Sequence, residues 1–189
     1  MTALAGRAEA DPRFAPREIS GEIGTLFLTP SAYRNALRDF GFDGFTVGMQ
    51  GAARVLWTVT AALRVGVRAG YLGIRASDVW FHVPDAGLVL RVVAVGGSTD
   101  LGPPPAPRIV LDVEAGLALV DTTWERGTGI AAVPRFAVTL GVDRLLAAHL
   151  RAGLRVGGQY APSAGAAGGS YWDPAFAGVT VGVELGGAR

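Results

Sequence analysis

Strict alternation of apolar and polar residues runs through most of this chain, and its clearest form occurs twice. Leu63 to Tyr71 and Leu150 to Tyr160 both begin Leu-Arg-x-Gly-x-Arg-x-Gly. Arg64, Gly66, Arg68 and Gly70 alternate with Leu63, Val65, Val67, Ala69 and Tyr71. Arg151, Gly153, Arg155 and Gly157 alternate in the same way with Leu150, Ala152, Leu154 and Val156. Successive side chains of a strand point to opposite faces, so each segment is a strand with one apolar face and one face of arginine and glycine.

The same period predicts six further strands: Glu18 to Leu28, Gly44 to Val55, Gly87 to Gly96, Ile109 to Val120, Arg135 to Asp143 and Phe176 to Leu185. The least regular is Gly87 to Gly96, where Val89, Val93 and Val95 share a face with Arg91, a pattern that suits a strand buried on both sides. Gly73 to Ala86, with Trp80, His82 and Pro84, reads as a long loop, and Pro103-Pro104-Pro105 rules out regular structure in the segment 98–107. The connections between strands are alternately longer and shorter, and too short for parallel crossovers, so the order is antiparallel and up-and-down. Residues 1–17 read as a loose leader, 18–186 as the strand domain and 187–189 as a tail.

An amphipathic sheet can bury its apolar face as a soluble core, or it can close with its charges inside and its apolar face outside. Charge lies deep within these strands rather than at their ends: Glu22, Arg64, Arg68, Asp112, Glu114, Arg135, Arg151, Arg155 and Glu184 all fall at polar-face positions. Both signs occur, with glycine or alanine between them, which suits a narrow barrel interior where ions pair. The apolar face carries small residues such as Gly51, Ala53, Ala69, Ala115 and Ala152. A soluble core needs bulkier groups to reach native density, whereas lipid fits any contour. Phe45, Tyr71, Tyr160, Trp172 and Phe176 stand at strand ends or loop bases, where interfacial aromatics collect.

Composition agrees with this reading. Half of the 189 residues are hydrophobic and 17% are charged, against roughly 25% in soluble domains. No run reaches the roughly 18 apolar residues of a spanning helix, so any membrane crossing is by strands of about ten residues. Met1 to Pro16 has no apolar core of signal-peptide length, although Ala8-Glu9-Ala10 resembles a cleavage site. The net charge of +1 gives no argument for a nucleic-acid partner. There is no cysteine, which excludes thiol catalysis and cysteine-ligated metals.

The strand rhythm, the unit from Gly141-Val142-Asp143 through His149-Leu150-Arg151, and the ending from Gly178 to Leu185 resemble one family. It is the small outer-membrane β-barrel proteins of Gram-negative bacteria, the eight-stranded OmpA-like and opacity-protein-like group, and the similarity covers about Glu18 to Leu185. The resemblance implies an all-β fold: an eight-stranded antiparallel up-and-down transmembrane barrel with a polar, charged interior. It also implies the lipid bilayer of the bacterial outer membrane as partner and location, with a structural, surface-interaction or small-solute role. Family members often end in an aromatic residue, whereas here Leu185 is followed by Gly186-Gly187-Ala188-Arg189.

Candidate chemistry is sparse. His82 and His149 have no Cys, Asp or Glu at metal-ligand spacing, so neither a metal nor another cofactor is expected. Ser77 with His82 is the nearest approach to the Ser/His pair of a lipid hydrolase at a barrel rim. Gly96-Gly97 and Gly165 to Gly169 lack the Lys-Ser/Thr of a phosphate loop. The competing class is a soluble lipocalin-like barrel, polar outside and apolar within. No catalysis is expected.

Overall fold

A computed structural model describes residues 17–28, 47–60, 62–76, 79–94, 107–121, 130–147, 150–161 and 176–188. These form eight strands: β1 (Arg17–Leu28), β2 (Val47–Thr58), β3 (Leu63–Ala76), β4 (Val79–Ala94), β5 (Arg108–Asp121), β6 (Ile130–Ala147), β7 (Leu150–Ala161) and β8 (Phe176–Ala188). Each pairs antiparallel with the next, and β8 returns to β1, so the sheet closes. Pairing at the seam runs to the strand ends, with Gly187 opposite Ile19 and Ala188 opposite Glu18.

The register sets the barrel's geometry. Followed from Glu22 through β2, β3, β4 and β5, the ladder arrives at Val133 on β6. Followed the other way through Glu184 and Gly153, it arrives at Asp143, ten residues further along the same strand. Such a stagger requires strongly tilted strands, and eight of them enclose a space that side chains alone can fill.

Two departures from the expected strand boundaries have one cause. The segment 79–86 is strand, not loop, and β3 and β4 pair from Leu63↔Val92 to Ala76↔Val79. Pro84 is tolerated because β4 meets β5 only from Asp85 onwards. At Pro84 the strand has β3 alone as neighbour, so on its other side no ladder bond is lost for want of an N–H. Pro134 repeats the arrangement on β6, opposite Leu117 of β5 but ahead of the first β7 pair, Phe136↔Tyr160. β2 likewise continues past Val55 to Thr58. Its hairpin with β3 is closed by Thr60, whose Oγ1 accepts from the amides of Ala62 (3.3 Å) and Leu63 (3.0 Å).

Burial alternates along each strand, and the apolar face is the exposed one. Ile23 is 71% exposed, Leu88 and Leu154 68%, and Met49 63%. Arg91 and Asp112 are 0% exposed. This is the reverse of a soluble barrel, whose charges face water.

Candidate functional site

Call the end where β1 starts and β8 finishes the terminal end, and the opposite one the loop end. Five strands share one internal order along the lumen, whereas β2 departs from it, with Leu56 buried at its terminal end and Gln50 toward the loop end. Running from the terminal end, β1 places Glu18, Ser20 and Glu22 inward and then Leu26 and Leu28. β3 places Arg64 and Arg68 and then Leu72 and Ile74; β5 places Arg108, Asp112 and Glu114 and then Ala118 and Val120. Read in the opposite chain direction, β4 passes from Arg91 to Val83, and β6 from Asp143 and Arg135 to Val133. The lumen therefore holds a long ionic section and, at the loop end, an apolar plug.

The ionic section is balanced. Arg54, Arg64, Arg68, Arg91, Arg108, Arg135 and Arg155 are buried among Glu18, Glu22, Asp85, Asp112, Glu114, Asp143 and Glu184. Three glutamates act as hubs, each held by three arginines. Glu184 accepts from Arg91 (2.8 Å), Arg54 (3.2 Å) and Arg155 (3.2 Å). Glu114 accepts from Arg54 (2.8 Å), Arg135 (2.9 Å) and Arg68 (3.2 Å). Glu18 accepts from Arg91 (2.6 Å), Arg64 (2.8 Å) and Arg108 (3.1 Å).

Arg91 is the centre of this array. It makes a two-point fork with Asp112, Nε to Oδ1 at 2.7 Å and Nη2 to Oδ2 at 2.6 Å, while its other donors reach Glu18 and Glu184. A guanidinium suits the position because its planar fork serves several carboxylates at once. Arg155 joins Asp143 (2.5 Å) to Glu184, and Arg68 pairs with Asp85.

Pairing across the lumen offsets unfavourable neighbours along the ladder. Glu22 lies directly opposite Glu184, Arg54 opposite Arg68, and Arg64 opposite Arg91. Like charges so placed repel. Arg54 relieves the first of these pairs by reaching Glu22 at 2.7 Å as well as Glu184. Glycine makes room: a methyl at Gly141 would collide with Arg155, and one at Gly153 with both Asp143 and Arg155.

Of the residues expected inside, Glu22, Arg64, Arg68, Asp112, Glu114, Arg135, Arg155 and Glu184 are buried in this array, and Arg151 is half-buried at the terminal end of β7. Glu18, Arg54, Asp85, Arg91, Arg108 and Asp143 complete it and were not singled out from the sequence. Their signal was parity: each lies an even number of residues from another inward charge on its strand or from an inward glycine. Arg91 was obscured by Val89 and Val93, which share its face and are themselves buried inside.

On the outside, Tyr71 is 44% and Tyr160 52% exposed. Tyr160 lies opposite Phe136, and Phe27 is also exposed near the loop end. Trp57 is exposed toward the terminal end, opposite Arg17. Phe45 and Trp172 lie outside the described residues, as do Ser77 and His149, and Phe176 is described only through its backbone at the start of β8. His82 faces outward on β4, hydrogen-bonded through Nδ1 to the Tyr71 hydroxyl, with ring centroids 5.8 Å apart.

No protein-family model matches the sequence, and no curated protein is similar to it in sequence. Solved structures do match. Neisserial surface protein A superposes with a TM-score of 0.66 at 12% identity, over 93% of this chain and 98% of that one. The N-terminal β-barrel domain of Pseudomonas aeruginosa OprF superposes with a TM-score of 0.50 at 10% identity, over 91% and 98%. Both are eight-stranded barrels of bacterial outer membranes. At these identities the likeness is one of fold, and the fold is theirs: all-β, antiparallel and closed, with a charged interior.

Proposed function

We propose that this chain is an integral β-barrel of a Gram-negative outer membrane, with its terminal end toward the periplasm and a structural or surface-interaction role. The observation that carries the reading is the inversion of polarity. The outward face bears exposed Leu, Val, Ile and Met on all eight strands, while the charges pair within. A lipocalin-like barrel would carry the opposite arrangement. Apolar outward strands with a polar interior are what a bilayer selects.

Transport of solutes through the lumen is disfavoured by its contents. Arg91 and Asp112 fill the middle with no exposed surface, and Leu26, Ile74, Val120 and Val133 are equally enclosed nearer the loop end. The hydrolase reading draws no support from His82, whose resolved partner is a tyrosine on the outward face. Function then resides on the barrel's surfaces. The test is refolding from urea into detergent micelles or lipid vesicles, followed by electrophoresis without boiling. A heat-modifiable band in lipid and aggregation in plain buffer are expected. A folded monomer in buffer without detergent would overturn the proposal, and steady ion conductance in planar bilayers would overturn the closed lumen.

A further inference from the structure

Every ladder but one joins strands that follow each other in the chain; the exception pairs β1 with β8. No hairpin connection holds that seam, and its inner side carries charge of one sign. The buried side chains of β1 and β8 include three carboxylates, Glu18, Glu22 and Glu184, and no cation. Glu22 stands directly opposite Glu184, and opposed like charges repel. β8 offers only glycine opposite Ser20, Gly24 and Leu28, so few inward side-chain pairs across the seam offset that repulsion. The other opposed like charges, Arg54↔Arg68 and Arg64↔Arg91, lie on consecutive strands tied by short connections, Thr58 to Leu63 and Ala76 to Val79.

The cations that neutralise the seam come from β2 and β4. Arg54 Nη1 lies 2.7 Å from Glu22 Oε2 and 3.2 Å from Glu184 Oε2. Arg91 Nη1 lies 2.6 Å from Glu18 Oε1 and 2.9 Å from Glu184 Oε1. In both side chains a single terminal nitrogen therefore touches a carboxylate of β1 and a carboxylate of β8. A charge-assisted bond to each side, made by one rigid guanidinium, fixes the separation of the two strands as well as their charge.

We propose that Arg54 and Arg91 latch the seam of this barrel. β1 and β8 stay paired because these two guanidiniums bridge them, and without the bridges the seam opens while the other ladders persist. Removing Arg54 leaves Glu22 and Glu184 facing each other without their shared cation, a cost that falls on β1 and β8. Glu114, the third partner of Arg54, keeps Arg68 and Arg135.

The experiment is hydrogen–deuterium exchange read by mass spectrometry on peptides of each strand, with the barrel folded in detergent and checked by its heat-modifiable band. Arg54→Met should speed exchange in β1 and β8 by about tenfold or more and leave β6 within about twofold of the parent, as the local opening of one ladder requires. Arg91→Met should speed the seam likewise and the β4–β5 ladder in addition, since Arg91 also holds Asp112. Arg135→Met removes a buried arginine that bonds Glu114 and Gln159 but no seam carboxylate, and should leave exchange in β1 and β8 unchanged. Adding Glu22→Gln to Arg54→Met removes the charge opposite Glu184 and should restore most of the seam's protection. Equal acceleration on all strands in Arg54→Met would overturn the latch. So would a seam opened as far by Arg135→Met, or a double variant no better protected than Arg54→Met. Should Arg54→Met give no folded band, its recovery in the double variant supports the latch and its continued absence overturns it.

Discussion

The two sections of the lumen solve one packing problem by opposite means. Toward the loop end, Leu26, Leu28, Leu72, Ile74, Val83, Val120 and Val133 fill the interior as an ordinary apolar core. Such groups pack with many near-equivalent neighbours, and losing one leaves a void but no stranded charge. Through the rest of the barrel the filling is mainly arginine and carboxylate, with Leu56, Val89, Val93 and Val110 among them, and each ion depends on several others. Glu184 alone links β8 to Arg54 of β2, Arg91 of β4 and Arg155 of β7. An ionic filling therefore ties distant strands together by direction and number of bonds, whereas the plug excludes water by contact. The cost of desolvating each ion makes the first solution fragile to single losses.

The comparison can be broken most directly at Arg91. Arg91→Ala leaves Asp112, Glu18 and Glu184 short of a shared cation, and we expect a loss of about 3–5 kcal/mol in urea unfolding of the lipid-refolded barrel. A loss under ~1 kcal/mol would mean that the array is loosely coupled. In the plug, Leu26→Ala is expected to cost less, about 2–4 kcal/mol for a cavity without an unpaired charge. If it cost more than Arg91→Ala, the plug and not the ions would dominate stability.

A swap sharpens the point. Arg68→Met combined with Asp85→Leu removes one cation and one anion that pair with each other, so the balance survives. The double variant should lie within about 1 kcal/mol of the parent, whereas either single change should cost several times more. Additive losses in that cycle would refute the pairing. The smallest effect is expected outside: Leu140 is 50% exposed, and Leu140→Ala should shift stability by only roughly 0.5 kcal/mol, because lipid replaces the lost contacts. A shift as large as that of Leu26→Ala would point to a protein partner on that face.

Much of this organisation is legible in residue spacing. The two Leu-Arg-x-Gly-x-Arg-x-Gly segments form β3 and β7, and Arg64, Arg68 and Arg155 turn inward as their parity requires. Pro84 misled for a physical reason: a proline breaks a ladder only where a neighbouring strand stands on the side its N–H would face, and whether one stands there depends on strand stagger. Arg91 was hidden because valines beside it suggested burial without showing that the buried side was a lumen.

Alternation along single strands thus determined the all-β class, the number of strands, and which side chains share a face, since a period of two is a local property of extended backbone. Closure and stagger decided the rest. Only the ten-residue offset between the two routes to β6 brings Arg54, Arg91 and Arg155, from three strands, onto Glu184. The same offset leaves Pro84 with one neighbour and sets an ionic filling below an apolar plug. These are distances between residues far apart in the chain, which spacing along it does not encode.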